Sequence, residues 1–427
     1  MEQIKETKIA HKIAANTAFQ IVGKIVSMSI TILATVVITR MYGREGYGEF
    51  NLMQNFPGLF FIIVDFGINA IATKELSEKW ENAEHYLGNI LILRIGMSAL
   101  IMMLAAATLM FFPYSPQLKF GIYLCLFLIL TQALYATTNI VFQVKLRYDL
   151  STIGYIIGSV AILILVVVLS YLKVSVTWVS FSYVIGGLIT FLVNLYFIKK
   201  LNLNIKISVD KTLWKYLFVQ SFPLGLMFIF SQINFKADSI MISVLRLPSS
   251  LHLSNTESVA VYGLPYKIFE VTLVIPTFFM NAVYPVLIRH MLQGKKKLQN
   301  TFMKSLLALF SFGLVSGLLG FVFAPLAIRF LGGSQFTQSI DVLRILMGGL
   351  FVFYLTQPLA WLIVTLEKQI YLPYIYLASA VFNVAANYVF IPRYSFYASA
   401  YITWISEFLI LIMITAAAIK AWKSKYA

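Results

Sequence analysis

Runs of about twenty apolar residues recur from one end of this chain to the other, separated by short polar segments. A helix rising 1.5 Å per residue needs about that length to cross the roughly 30 Å hydrocarbon core of a bilayer. Inside lipid every backbone N–H and C=O must be satisfied within the protein, so only helices and closed barrels can span. A barrel would show alternating segments of about ten residues instead. Of the 427 residues, 60% are hydrophobic and 12% charged, whereas soluble domains carry about 25% charged residues. The fold class expected is therefore all-α: a polytopic membrane protein.

Twelve spanning helices are expected, near residues 15–39, 49–73, 87–112, 119–143, 152–172, 175–198, 216–245, 259–288, 303–331, 340–366, 370–391 and 397–420. The net charge of +16 would suggest nucleic acid in a soluble protein. Here the positive-inside rule accounts for most of it, and no nucleic-acid partner is expected. With the N-terminus inside, 21 of the 33 Lys and Arg fall on inner segments and 8 on outer ones. Both termini are thus expected in the cytoplasm, with the chain retained in the cell membrane. The first fifteen residues mix Lys5, Lys8 and Lys12 with Glu2 and Glu6 and lack a cleavage pattern, so a retained first helix is expected rather than a signal peptide.

The basic loop at 199–215 divides the chain into two sets of six helices, 1–200 and 201–427, each expected to form a bundle. An even number per half implies parallel repeats about an axis along the membrane normal. Tyr47-Gly48 and Tyr262-Gly263 echo one another at matching places in the two halves. Gly154/Gly158 and Gly313/Gly317 have the GxxxG spacing of helix packing. The lone Cys125 lies in an apolar run and reads as packing.

Four polar stripes interrupt the apolar surface at helical spacing. The first holds Asn16, Gln20, Lys24, Ser27 and Thr31; the second Asn51, Gln54, Gly58, Asp65 and Asn69. The third holds Ser221, Gly225, Gln232, Lys236, Ser239 and Ser243; the fourth Gly263, Lys267, Glu270, Thr277 and Asn281. Each stripe covers an arc of roughly 60–80° at about 100° per residue. Small polar residues serve ordinary packing between membrane helices, but a lysine at depth costs roughly 2.5–3.5 kcal/mol unless it faces a partner or a wet cavity. Lys24, Lys236 and Lys267 are therefore candidates for a cavity that binds an anion, with structural ion pairing as the other reading. The stripes occupy the first two helices of each half, which placed face to face would wall a hydrated cleft. Asp65 and Arg94 sit at similar depth and are expected either to pair or to couple ions; Glu407 lacks a sequence-local partner. Glu270, one turn from Lys267, is expected to pair with it or to carry a proton.

Several segments also form a recognisable series. Gly43 and Gly46-Tyr47-Gly48 precede Asp65-Phe66-Gly67-Ile68-Asn69, Thr73-Lys74-Glu75-Leu76, Tyr86-Leu87-Gly88-Asn89 and Arg94. Phe330-Leu331-Gly332-Gly333 is followed by Ser339 and Val342-Leu343-Arg344-Ile345-Leu346. Asn383-Val384-Ala385-Ala386-Asn387-Tyr388-Val389-Phe390-Ile391-Pro392-Arg393 then leads to Ser406-Glu407. The whole resembles the bacterial polysaccharide exporters of the O-antigen flippase type, in the multidrug/oligosaccharidyl-lipid/polysaccharide (MOP) superfamily. Ser395-Phe396-Tyr397 departs from the family's Gly-rich turn.

The resemblance implies two six-helix bundles in a V, alternating between inward- and outward-open states. It implies an undecaprenyl-pyrophosphate-linked oligosaccharide as cargo, with Lys24 and Lys267 meeting the pyrophosphate. It also implies a polysaccharide polymerase and a chain-length regulator as partners, and a monomer among membrane lipids. Substrate contacts are expected from Asn16, Gln20, Lys24, Gln54, Gln232, Lys236, Lys267, Glu270 and Asn281. No cofactor or metal is expected, and a proton or sodium gradient is the candidate energy source. A multidrug antiporter of the same superfamily is the alternative, although it should offer acids to organic cations where these helices offer bases. A membrane polymerase is a weaker alternative: the loops are short, and four His form no metal-spaced cluster.

Overall fold

The computed structural model describes the backbone of residues 2–426, and side chains from Phe19 onward except that of Ile21. Asn16 lies outside the described side chains. Among the described residues the regular structure is helical throughout, without a strand. The order is α1 (Glu2–Asp65), α2 (Ile68–Glu78), α3 (Ala83–Met110), α4 (Pro116–Cys125), α5 (Phe127–Val144), α6 (Tyr148–Tyr171), α7 (Val176–Lys200) and α8 (Lys211–Val244). Then come α9 (Asn255–Thr272), α10 (Val274–Leu292), α11 (Lys295–Gly332), α12 (Gln338–Gly348), α13 (Leu350–Thr365), α14 (Tyr371–Tyr394) and α15 (Phe396–Tyr426).

Eleven stretches among the described residues are long and apolar enough to cross a membrane, and the first, Val22–Glu78, has 57 residues. That is roughly 85 Å of helix, more than one crossing can use. It is interrupted at Gly43, where φ is 66° and ψ is −162°, so it provides two crossings and the total is twelve. Several crossings consist of two helices end to end. α4 and α5 meet at Leu126, α9 and α10 at Leu273, and α12 and α13 at Gly349.

The chain forms two compact units. One comprises Met1–Tyr42 with Leu52–Ile229, the other Gly43–Asn51 with Phe230–Ala427. The units part inside α8, whereas the sequence places the boundary at the basic loop. The physical reason is that this loop is docked within the first unit. Lys206 N–H donates to Glu84 O (3.2 Å), and Lys206 Nζ pairs with Glu84 Oε2 at 2.8 Å. Asp210 N–H donates to Asn89 Oδ1 (2.6 Å), while Asn89 Nδ2 donates to Ser208 Oγ (2.7 Å). Gly88 permits this approach: a Cβ there would stand 1.8 Å from the Lys206 carbonyl oxygen. Asp210 then caps α8, its Oδ1 accepting from Thr212 N–H (2.9 Å) and Leu213 N–H (3.1 Å). These bonds hold its carboxyl below the usual range.

Beneath the strap lies an apolar core of Ile68, Leu76, Leu87, Ile90, Phe142 and Leu217, all essentially without solvent contact. Elsewhere in this unit Gly154 and Gly158 of α6 lie directly on Asn194 and Thr190 of α7. In the second unit, the 43–51 segment packs along α9. Gly48 meets the Thr256 backbone, Gly263 meets the Asn51 side chain, and Arg44 pairs with Glu257 at 3.6 Å. The two Tyr-Gly echoes thus sit in one helix contact, with Tyr47 and Tyr262 both buried beside it.

Candidate functional site

In the second unit, α8 and α9 bring three charges together. Lys236 Nζ lies 2.8 Å from Glu270 Oε1, and Lys267 Nζ lies 3.8 Å from Glu270 Oε2. Lys267 and Glu270 share a face because they are three residues apart on α9; Lys236 arrives from α8. The side chains are 20%, 44% and 27% exposed for Lys236, Lys267 and Glu270, so the group is partly open and carries a net charge of +1. A carboxylate between two ammoniums keeps both cations in place at reduced mutual repulsion, leaving a surplus for an anion. Gln232, one turn before Lys236, is half-buried, and Asn281 is exposed. Thr277 and Asn281 lie on α10, beyond the α9–α10 junction at Leu273. The arc read for a single helix is therefore broken between Glu270 and Thr277.

A second polar group in this unit is closed to solvent. Asp238 of α8 is 0% exposed. Its Oδ2 accepts from Tyr262 OH (2.7 Å) and Thr403 Oγ1 (3.0 Å), and its Oδ1 from Asn387 Nδ2 (2.8 Å). Asn387 also donates to Asn383 Oδ1 (3.1 Å) and accepts from Ser399 Oγ (2.8 Å); Asn383 donates to Ser406 Oγ (3.3 Å). Among the described residues no Lys, Arg or His pairs with Asp238. A carboxylate so placed is costly unless it takes up a proton or shares its oxygens with a cation. Four helices, α8, α9, α14 and α15, meet here. Sequence periodicity misses this centre because its members lie on four helices far apart in the chain. The available signal is an intramembrane Asp together with Asn383 and Asn387, one turn apart on an apolar helix. Glu407, next to Ser406, accepts from Thr356 Oγ1.

The first unit holds the remaining candidates. Asp65 closes α1, where Phe66 (φ 41°) and Gly67 (φ 74°) adopt left-handed backbone before α2 begins. Only glycine takes that conformation without strain. At this break Arg94 Nη2 donates to Asp65 Oδ1 at 2.6 Å, and Arg94 Nη1 to Thr137 Oγ1 at 3.1 Å. Arg94 is 0% exposed, so of the two roles open to this couple the ion pair is formed. Lys24 is exposed and Gln20 half-buried on α1. Gln54 donates to Ser180 O (3.3 Å) and lines a cavity of about 170 Å³ with Thr31, Gln132, Tyr135, Tyr155 and Tyr183. The cavity wall has no charged residue. Among the described residues no three His, Cys, Asp or Glu cluster as metal ligands would.

The polysaccharide biosynthesis protein family matches residues 13–291, well over half of the chain. The chain belongs to that family. The MatE family matches residues 217–389. A search of curated proteins found no match. Among solved structures, a multidrug resistance MATE family transporter of the MOP superfamily, in an inward-facing conformation, superposes with a TM-score of 0.75 at 12% identity, covering 95% of this chain and 100% of the other. The lipid II flippase MurJ gives 0.74 at 14% identity, over 96% of this chain and 90% of MurJ. A MOP superfamily transporter from Pyrococcus furiosus Vc1 gives 0.67 at 15%, over 97% and 94%. At 12–15% identity these superpositions show that the family member has a MATE-like, all-helical fold.

Within the family member, the motifs of the sequence series have distinct physical duties. Gly88-Asn89 docks the 201–210 loop, and Asp65-Phe66-Gly67 breaks a helix beside the Arg94 pair. Asn383 and Asn387, with Ser406, build the buried centre around Asp238. Lys236, Lys267 and Glu270 are brought together; Gln20, Lys24 and Gln54 belong to the other unit.

Proposed function

We propose that this protein flips an undecaprenyl-pyrophosphate-linked oligosaccharide from the inner to the outer leaflet of the cytoplasmic membrane, by alternating access, for assembly of a surface polysaccharide. The observation that carries the reading is the Lys236–Glu270–Lys267 group, a partly open site with surplus positive charge. Pyrophosphate is a compact polyanion, and ammonium groups recognise it as point charges. In the first unit, Lys24 is exposed on α1. The uncharged Tyr- and Gln-lined cavity suits sugar hydroxyls and ring faces. An organic-cation antiporter would find the wrong sign of charge at the lysine group.

Energy enters, on this reading, at Asp238. Its carboxylate, ringed by the Tyr262 and Thr403 hydroxyls and the Asn387 amide N–H and without a paired cation among the described residues, is suited to take up a proton. Binding there would neutralise the buried charge and bias the packing of four helices. Both termini would lie in the cytoplasm, and a polysaccharide polymerase and chain-length regulator would take the product from a monomeric flippase.

The test is reconstitution into proteoliposomes with a fluorescent lipid-linked oligosaccharide, scoring access to an external reagent. Ion-gradient-dependent flipping is expected. Drug efflux without lipid flipping would favour the antiporter reading, and lengthening of the oligosaccharide by the purified protein would favour a polymerase.

A further inference from the structure

We infer that the second unit carries a binding groove for an anionic glycerophospholipid, held on the surface formed by α11, α13 and α15. The groove has a volume of about 480 Å³. Each helix lends it one stripe at helical spacing: Gln299 to Leu306 on α11, Leu355 to Leu362 on α13, and Leu411 to Lys423 on α15. The α15 stripe runs twelve steps from Leu411 to Lys423, roughly 18 Å at 1.5 Å per residue. That is close to the roughly 15 Å depth of one leaflet's hydrocarbon. A space of this length accepts acyl chains from one side of the bilayer and does not reach the other.

Its two ends differ in chemistry. Along most of its length the wall is Leu, Phe, Met and Ile, and the Thr415 hydroxyl is spent on Leu411 O at 2.6 Å. At the other end stand Gln299, Trp422 and Lys423. Lys423 is exposed and forms no ion pair among the described residues. Around that end the three chain segments 289–304, 366–371 and 420–427 hold nine Lys and Arg against one acid, Glu367. Aromatic rings mark the same level: Trp422 and Tyr426 have centroids 4.9 Å apart, and Lys295 Nζ lies 5.8 Å over Tyr426. Aromatic residues collect where hydrocarbon meets headgroups, and basic pockets between helices at that level take anionic headgroups. An apolar slot one leaflet deep, ending in uncompensated positive charge, is complementary to a lipid with acyl tails and an anionic head.

Trp422 lies in the groove and reports on its occupant. The protein is reconstituted in phosphatidylcholine vesicles doped with either brominated phosphatidylglycerol or brominated phosphatidylcholine at equal mole fraction. The Trp422 contribution is taken as the difference from Trp422→Phe, since bromine quenches tryptophan on contact. The expected result is several-fold stronger quenching by the anionic phosphatidylglycerol, weakening as salt screens the headgroup contact. Lys423→Gln should cut that preference about fivefold, the worth of one lysine at an anionic surface. Ala418→Phe should fill the slot and lower quenching by both lipids. Equal quenching by the two lipids in the wild type would overturn the inference, leaving ordinary boundary-lipid contact. So would a preference indifferent to salt, or quenching by a brominated polyprenyl phosphate in place of phosphatidylglycerol. If Trp422→Phe fails to fold, the salt dependence of total tryptophan quenching in the unmodified protein, compared between the two lipids, carries the test.

Discussion

Replacing Asp238 by asparagine separates a structural carboxylate from a working one. Asp238 accepts three side-chain hydrogen bonds, from Tyr262, Thr403 and Asn387, at 2.7, 3.0 and 2.8 Å. A hydrogen bond to a charged partner contributes about 1.5–3 kcal/mol and a neutral one about 0.5–1.5. Asp238→Asn therefore forfeits about 1 kcal/mol at each, roughly 3 in all. Against this, removing the charge removes a burial penalty of several kcal/mol. The new amide N–H groups find acceptors because the two hydroxyls can rotate. The terms nearly cancel, so stability should change by less than about 2 kcal/mol in either direction. Asp238→Ala is the contrast: it leaves an Asn387 N–H short of an acceptor, at about 1–3 kcal/mol, turns Tyr262 OH back on Thr403 Oγ1 at 3.1 Å, and opens a cavity that costs about 2 kcal/mol or more. Thermal unfolding in detergent should show Asp238→Asn close to wild type and Asp238→Ala clearly lower. In proteoliposomes, gradient-driven flipping should be lost in both. If Asp238→Asn flips lipid normally under a gradient, or unfolds as early as Asp238→Ala, the carboxylate holds helices together and couples nothing.

Lys267→Ala should lower flipping about 10- to 100-fold, the loss of one charge-assisted bond to phosphate, while gel filtration shows an intact protein. Lys236→Ala should do the same and leave Glu270 facing Lys267 alone; unchanged rates in both variants would remove the lysine group from transport. Gly88→Ala sets a helix-propensity gain of about 1 kcal/mol against a clash of about 1–3 kcal/mol and two hydrogen bonds of about 1 kcal/mol each. The net is a loss of about 2–4 kcal/mol, to be read as faster proteolysis of the 201–210 loop. Asp210, whose carboxyl is held below its usual range by the α8 cap, stabilises the strap above its ordinary value near 3.8. Loop protection should hold from pH 7 to 5 and fall as acid protonates it below that value; a loss already complete at pH 5.5 would implicate another group.

The class of fold and the number of crossings were legible in residue order, because lipid imposes a local demand: each twenty-residue stretch must satisfy its own backbone and present apolar side chains. The same local logic located Lys267 and Glu270 as neighbours on one helix. Tertiary structure alone decided the rest. The charge on Lys236 meets Glu270 across two helices, and Asp238 meets Tyr262, Asn387 and Thr403 across four. A helical stripe records which way a side chain faces, but not what faces it. The 201–210 loop reads as a linker in sequence, yet it is strapped to α3 through Gly88 and Asn89. That contact depends on a close backbone approach between segments more than a hundred residues apart, which no periodicity encodes.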